Sequence, residues 1–421
     1  MQIALCIFKY FPYGGIQRDL MKFARESLSR GHRVRIYVVR WNGELPPEVQ
    51  GGALEIVVAP VKALTNHQLY ARFARWVLAH LRAHPVDVVV GMNKMPGLDV
   101  YYAGDSCYEE KARTQRGVLY RLLPRYRHFA AFERAVFDPA VPTRILTISD
   151  RETPLFRKHY GTPVGRFEAL PPGIDPDRRA PPDPAAARAE FRAEFDLDDG
   201  TLLLLFIGSG FIKKGLDRAL LAVHALPPEL YRRTQLFVVG HDNAEPFRRM
   251  VRRLGIHDQV RFFPGRPDVP RFLFGADGLL LPAYDENAGM VIIEAMIAGV
   301  PALVTRNCGY ARYLEGADAG LVADQPFDQE AFNAQLVELL TSERRERWRS
   351  NGMRMADDPS IYQLATRAVD AFERAAAERR PVVAFALFKY FPYGGLQRDF
   401  LQMHCCPQLL PLFSRSSANP E

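Results

Sequence analysis

Residues 202–215 read LLLLFIGSGFIKKG, six apolar residues followed by a loop with three glycines and two lysines. A near-continuous Leu/Ile/Phe run of this length predicts a strand buried on both faces, as in a parallel sheet covered by helices. Glycines directly after such a strand, with a helical pattern beyond, mark a turn that brings backbone N–H groups and a helix N-terminus against a phosphate. Lys213 and Lys214 stand where a dinucleotide fingerprint has its third glycine, so the loop offers charge to a diphosphate instead of close helix packing. The P-loop pattern G-x-x-x-x-G-K-[ST] is absent. The plain alternative is a pair of lysines on a solvated loop.

Moving outward, the same strand–helix alternation continues at Leu236–Gly240, Val260–Phe263, Gly278–Pro282 and Pro301–Thr305. It also precedes residue 200, with strands at Ile3–Phe8, Arg33–Val39, Leu54–Ala59, Val86–Gly91 and Ile145–Ser149 and helices at Gln17–Arg30 and Leu69–Ala83. Repeated βαβ units predict an α/β fold with parallel sheets. So many strands exceed what one doubly wound sheet usually holds, so two Rossmann-like domains are expected. Pro171-Pro172-Gly173 breaks any regular element and marks the boundary. The expected units are 1–169, 170–356, and a closing helix at 361–380 within 357–380.

Residues 388–400, FKYFPYGGLQRDF, repeat residues 8–20, FKYFPYGGIQRDL, with two conservative changes, and the similarity ends after Leu401. One strand and one loop cannot bury a core. Residues 381–421 are therefore expected to be a disordered, dispensable remnant of a second copy, with a dimer-forming strand as the alternative.

The chain has 421 residues, 48% hydrophobic and 24% charged, with a net charge of +7. These proportions are ordinary for a globular protein. No apolar run is long enough to span a bilayer, and the start, MQIALCIFKYF, reads as a buried strand and not a signal peptide. Five cysteines without a C-x-x-C spacing argue against a disulfide framework or a zinc site and fit a reducing cytoplasm.

Other constellations carry chemistry. Gly14-Gly15 follows the first strand and opens a helix, a place for a phosphate or for a plain tight turn. Asp19, one turn further, is placed to accept from sugar hydroxyls or to stabilise the helix N-terminus. Arg266 follows the strand Val260–Phe263 and is within reach of the same phosphates or simply solvated. Glu286 and Glu294 are separated by seven residues, after a strand end. Read as one helix they would be about 12 Å apart along a similar face. Ala288 and Gly289 between them would bare backbone N–H groups at a helix start. The plain reading of the pair is two surface glutamates.

Residues 108–137 interleave Lys111, Arg113, Arg116, Arg121, Arg125, Arg127 and Arg134 with aromatic and aliphatic residues. Val118, Leu122, Tyr126 and Phe129 would form one helical stripe and Arg121, Arg125 and His128 another. Such a basic amphipathic segment suits an anionic membrane surface; a core-facing helix with a solvated basic face is the alternative. No RNP, KH or helix-turn-helix pattern supports nucleic acid.

On these residues the chain resembles glycosyltransferase family 4, the retaining GT-B class. KYFPYGGIQRDL, NKMPGLDVYYAGDSCY, LPPGIDPDR, FIGSGFIKKGLDRAL and PAYDENAGMVIIEA carry the likeness, over about residues 1–375. The resemblance is closest to the branch that glucosylates the lipopolysaccharide core. It implies two facing Rossmann-like domains with the active site in the cleft, UDP-glucose as donor and an inner-core heptose as acceptor. It implies that Gly15 approaches the donor phosphate and Asp19 the hexose. Arg178, Lys213, Lys214 and Arg266 would face the diphosphate. Glu286 and the backbone of Ala288, Gly289, Met290 and Val291 would meet the glucose and phosphates, and Glu294 the ribose. Asp105 is the expected carboxylate near the acceptor hydroxyl. Asn287 stands where a small residue is commoner, which leaves other UDP-hexoses open.

The mechanism implied is retaining. No D-x-D follows a strand end, so no metal or other cofactor is expected. The expected location is the cytoplasmic face of the inner membrane, peripherally bound. An epimerase or hydrolase acting on UDP-sugars is the runner-up, and a non-enzymatic sensor of nucleotide sugars a third reading.

Overall fold

In the computed structural model, residues 1–12 and 14–379 are described; the expectation for residues 381–421 lies outside the described residues. The first half builds a parallel sheet from β1 (Gln2–Tyr10), β2 (Arg33–Trp41), β3 (Leu54–Val58), β4 (Val88–Gly91), β5 (Val100–Ala103), β6 (Arg144–Thr147) and β7 (Phe167–Ala169). Its order is β3-β2-β1-β4-β5-β6-β7. The helices are α1 (Gly15–Ser29), α2 (Asn66–Ala83), α3 (Tyr108–Thr114), α4 (Pro124–Phe137) and α5 (Thr153–Tyr160). The second half repeats the plan with β8 (Leu202–Ile207), β9 (Thr234–Val239), β10 (Val260–Phe263), β11 (Gly278–Leu281), β12 (Ala302–Thr305) and β13 (Gly320–Ala323), ordered β10-β9-β8-β11-β12-β13. This is the α/β GT-B architecture of two Rossmann-like sheets. Strand order reverses between β1 and β4 and between β8 and β11, and open parallel sheets bind ligands at the carboxyl ends beside such reversals.

The apolar runs explain the sheets. Leu203–Phe206 of β8 are fully buried, with Leu205 in register with Leu279 of β11 and Phe237 of β9. One buried carboxylate ties the second half together. Asp277 accepts from Arg188 (2.8 Å), the Leu203 N–H (2.9 Å) and Arg192 (3.4 Å), which pins the Pro184–Glu194 helix to the starts of β8 and β11. Breaking one partner of such a buried pair costs about 3–5 kcal/mol.

The chain crosses between halves after β7 and returns to the first half at its end. Phe372 of the Leu364–Arg379 helix meets Phe23 of α1 edge to face at 5.8 Å, and Arg30 pairs with Asp370 at 2.8 Å. This helix starts later than residue 361, because Pro359–Tyr362 forms a separate 3-10 turn in which Asp358 caps Ser360. Strands β5, β7 and β13 lay outside the expected set: β5 follows β4 with no helix between them, and β7 and β13 are edge strands that are mostly only partly buried.

The stripe expected across residues 118–129 is not one helix face. Residues Val118–Leu122 form a 3-10 turn, and Pro124 starts α4 afresh, with Leu123 extended between them. Proline lacks the N–H that would continue a helix through this point.

Candidate functional site

The crevice at the β8/β11 reversal is shaped by glycines. Gly215 has φ of +77°, and a Cβ there would lie 2.1 Å from the Pro282 carbonyl oxygen. The loop therefore packs directly on the end of β11. Tyr284 N–H donates to the Lys213 carbonyl at 2.9 Å, which locks the loop to the Asp285–Glu286 turn.

Lys214 Nζ donates to Glu286 Oε2 at 2.5 Å, and both side chains are 16% exposed. Burial pushes the Glu286 carboxyl up, but the Lys214 and Lys213 charges and the Lys214 hydrogen bond outweigh it and hold the group below the usual carboxylate range. The same balance holds for Asp285. Burial raises it, and the Lys111 hydrogen bond with the Lys213, Lys111 and Arg151 charges brings it down. Asp285 lies 2.6 Å from Lys111, 3.5 Å from Arg151 and 3.8 Å from Lys213, and accepts from Ser106 at 3.3 Å. Four cations thus converge on two carboxylates. This leaves a surplus of two positive charges, which an anion of charge −2 would balance.

Glu286 and Glu294 do not share a helix face. Gly289, with φ of +87°, caps a helix that begins only at Met290, so Glu286 lies in the preceding turn. There its backbone accepts from Gly309 N–H (3.0 Å) and bridges to Cys308. Ala288, Gly289, Met290 and Val291 form the turn into that helix, whose first N–H groups have no intrahelical acceptor. Glu294 is buried on its second turn, 3.5 Å from Arg18 and 3.9 Å from Arg178. Arg178 Nε and Nη1 are buried without hydrogen-bond partners. Leaving such donors unpaired is costly, and a ligand's oxygens would satisfy them.

From the first half, Gly15 opens α1 with nothing within 4 Å of where a Cβ would stand. Asp19 is buried, and Tyr102 of β5 donates to it at 2.6 Å. Burial raises the Asp19 carboxyl above its usual range, against the Tyr102 hydrogen bond and the Lys22 and Arg18 charges. One of its oxygens is thus taken by a neighbour and not left for sugar. Asp105 is exposed just past β5. Arg266 is held by Asp268 through two bonds of 2.7 Å, from Nε and Nη2, and stacks on Phe272, which leaves its Nη1 donors for another acceptor.

The sequence reading missed several participants. Asp285, Arg151, Lys111 and Arg18 gather at the crevice from distant parts of the chain. Asn287, 4% exposed, donates to the Ala103 carbonyl at 3.0 Å while its own Oδ1 is unpartnered. The adjacency of Asp285 to Glu286 and of Arg18 to Asp19 was the available signal.

In the basic segment, Val118 (81%), Leu119 (76%) and Leu122 (64%) are exposed beside Arg121 and Arg125. Among the described residues no helix is long and apolar enough to cross a membrane.

Residues 13–178 match the family described as Glycosyltransferase Family 4, and residues 187–355 match Glycosyl transferases group 1. The chain is 45% identical over 371 residues to lipopolysaccharide glucosyltransferase WaaG of Escherichia coli (strain K12), covering 88% of this chain and 98% of that protein. A crystal structure of WaaG, a glycosyltransferase involved in lipopolysaccharide biosynthesis, matches with a TM-score of 0.84 and 44% identity over 88% of this chain and 99% of that one. Anabaena HepE in complex with UDP and glucose matches with a TM-score of 0.70 at 16% identity, over 89% of this chain and all of that one, a likeness of fold alone.

Proposed function

The chain belongs to the group 1, family 4 glycosyltransferases, and we propose that it moves glucose from UDP-glucose to an inner-core heptose of lipopolysaccharide. The observation that carries this reading is the 45% identity to the E. coli glucosyltransferase across nearly its whole length. The cation-rich crevice supplies the physical support.

Lys213, Lys214 and Arg178, the last with its unpartnered donors, face the diphosphate. Glu294, between Arg18 and Arg178, takes the ribose hydroxyls. Glu286 and the Ala288–Val291 turn hold the glucose and the distal phosphate. Gly15 leaves room for the phosphate from the opposite side, Asp19 approaches the hexose with the carboxylate oxygen that Tyr102 leaves free, and Asp105 lies toward the acceptor hydroxyl.

As the anomeric bond breaks, negative charge grows on the departing UDP. Fixed cations and N–H dipoles aimed there lower the barrier without reorganising. Lys214 does this while neutralising Glu286, so one side chain couples leaving-group stabilisation to hexose positioning. Transfer is retaining and needs no metal on this reading. The enzyme works at the cytoplasmic face of the inner membrane, where Val118, Leu119 and Leu122 enter the interface and the arginines meet anionic headgroups.

A panel of UDP-hexoses, assayed for UDP release with and without a truncated heptose acceptor, tests the proposal. Acceptor-dependent release, fastest with UDP-glucose, is expected. Equal release without acceptor would indicate a hydrolase or epimerase and overturn it.

A further inference from the structure

On the other side of α3 from the crevice lies a cavity of about 450 Å³. Its walls come from α3, the 3-10 turn Val118–Leu122, α4 and α5. They contribute Arg113, Arg121, Arg127 and Arg134, with Ala130 and Ala131 between the last two. The carboxylates nearby are already engaged. Glu109 accepts from Arg113 (2.6 Å) and from the Tyr126 hydroxyl (2.7 Å). Glu110 is taken by Lys158 (3.2 Å) and His159. Glu133 is taken by Lys94 and the Tyr160 hydroxyl (2.8 Å). Arg121, Arg127 and Arg134 line the same space, and among the described residues none has a carboxylate at ion-pair distance. The arginines of this segment outside the cavity differ, since Arg116 stacks on Tyr120 and Arg125 on Phe129.

Three guanidiniums without a carboxylate partner around one cavity suit a group with about two negative charges and three terminal oxygens, which a phosphomonoester provides. The turn that supplies Arg121 also exposes Val118, Leu119 and Leu122, so the ligand meets apolar surface next to its charge. Lys111, on the opposite face of α3, pairs with Asp285 in the crevice. One helix, roughly 10 Å across, therefore separates the cavity from the donor site.

We propose that this cavity is a binding site for a phosphomonoester carried by a membrane-anchored molecule, which seats the enzyme on its lipid-borne acceptor. The proposal deepens the membrane reading above and rests on it. A diffuse basic surface responds to total charge, whereas a built site responds to headgroup chemistry and to particular arginines.

The test uses the full chain and phosphatidylcholine vesicles containing either phosphatidic acid or phosphatidylglycerol, adjusted to equal surface charge. Wild type is expected to bind phosphatidic acid vesicles about fivefold more tightly or better, because the monoester accepts more charge-assisted hydrogen bonds. Arg127→Gln with Arg134→Gln should abolish that preference. Arg116→Gln with Arg125→Gln removes the same charge outside the cavity and should keep it. Melting curves check that both double variants fold. No preference in the wild type, or its equal loss in both variants, overturns the proposal. If neither vesicle binds, the membrane reading itself fails. Saturable binding of soluble glycerol 3-phosphate that vanishes in the Arg127/Arg134 variant would then overturn only the lipid-borne source.

Discussion

Replacing Lys214 by methionine keeps the length of the stem that packs against Gly208 and removes only the charge and its hydrogen bonds. Two unit charges about 4 Å apart at an effective dielectric near 20 attract by about 4 kcal/mol. The Lys214–Glu286 pair, 2.5 Å apart and mostly buried, is at least as close as that benchmark. Losing one fixed donor to a developing oxyanion typically costs about 3 kcal/mol, or roughly 150-fold in rate. kcat should therefore fall by about two to three orders of magnitude, while the donor KM changes less than about tenfold. Glu286 reports independently. In the wild type its carboxyl is held below the usual range, so the group contributes stability above its unfolded value that is lost as pH falls through the folded one. Without Lys214, its charge and hydrogen bond no longer hold the carboxyl down while burial still pushes it up, so it rises from its wild-type position and the acidic limb of the kcat profile should move to higher pH. Steady-state UDP release with saturating acceptor across the pH range measures both effects. A kcat within about threefold of wild type, with an unmoved acidic limb, would refute the assignment of Lys214 to the leaving group.

Three further outcomes are expected. Gly15→Ala places a methyl in space that no protein atom approaches within 4 Å; thermal stability should hold while the donor KM rises about tenfold or more, as in a pocket a ligand fills, and an unchanged KM would remove the donor phosphate from α1. Val118→Ser, Leu119→Ser and Leu122→Ser together should weaken sedimentation with anionic vesicles by about tenfold or more, since each apolar side chain that is fully buried contributes about 1.5–3 kcal/mol; unaltered sedimentation would leave these residues out of the interface. EDTA should leave turnover unchanged, because Lys213, Lys214 and the helix N-terminus supply the countercharge; complete inhibition restored by a divalent cation would overturn the metal-free reading.

The doubly wound plan was legible because β8 and its counterparts bury both faces and so appear as unbroken apolar runs. Strand β5, Val100–Ala103, hid because no helix separates it from β4, so it falls outside the strand–helix alternation. Its Tyr102 is fully buried in the core, and Asp19, far away in sequence, takes its hydroxyl. The Lys213-Lys214 loop and the Glu286 turn were readable from their place after strand ends. The extent of the next helix was not, since it depends on the left-handed backbone at Gly289, which a run of apolar residues conceals. Asp285 escaped notice for another reason. Its partners are residues 106, 111, 151 and 213, and only the folded chain brings them to one carboxylate. Lys111 shows the same effect. It belongs to the segment singled out for membrane contact, yet its charge faces the crevice.

The most direct test of donor and stereochemistry together is NMR of the product formed from UDP-glucose labelled at the anomeric carbon and a truncated heptose acceptor. An α-linked glucoside on heptose, appearing one for one with UDP, is the expected result. A β-linked product, or UDP released with free glucose and no new glycosidic bond, would contradict the account.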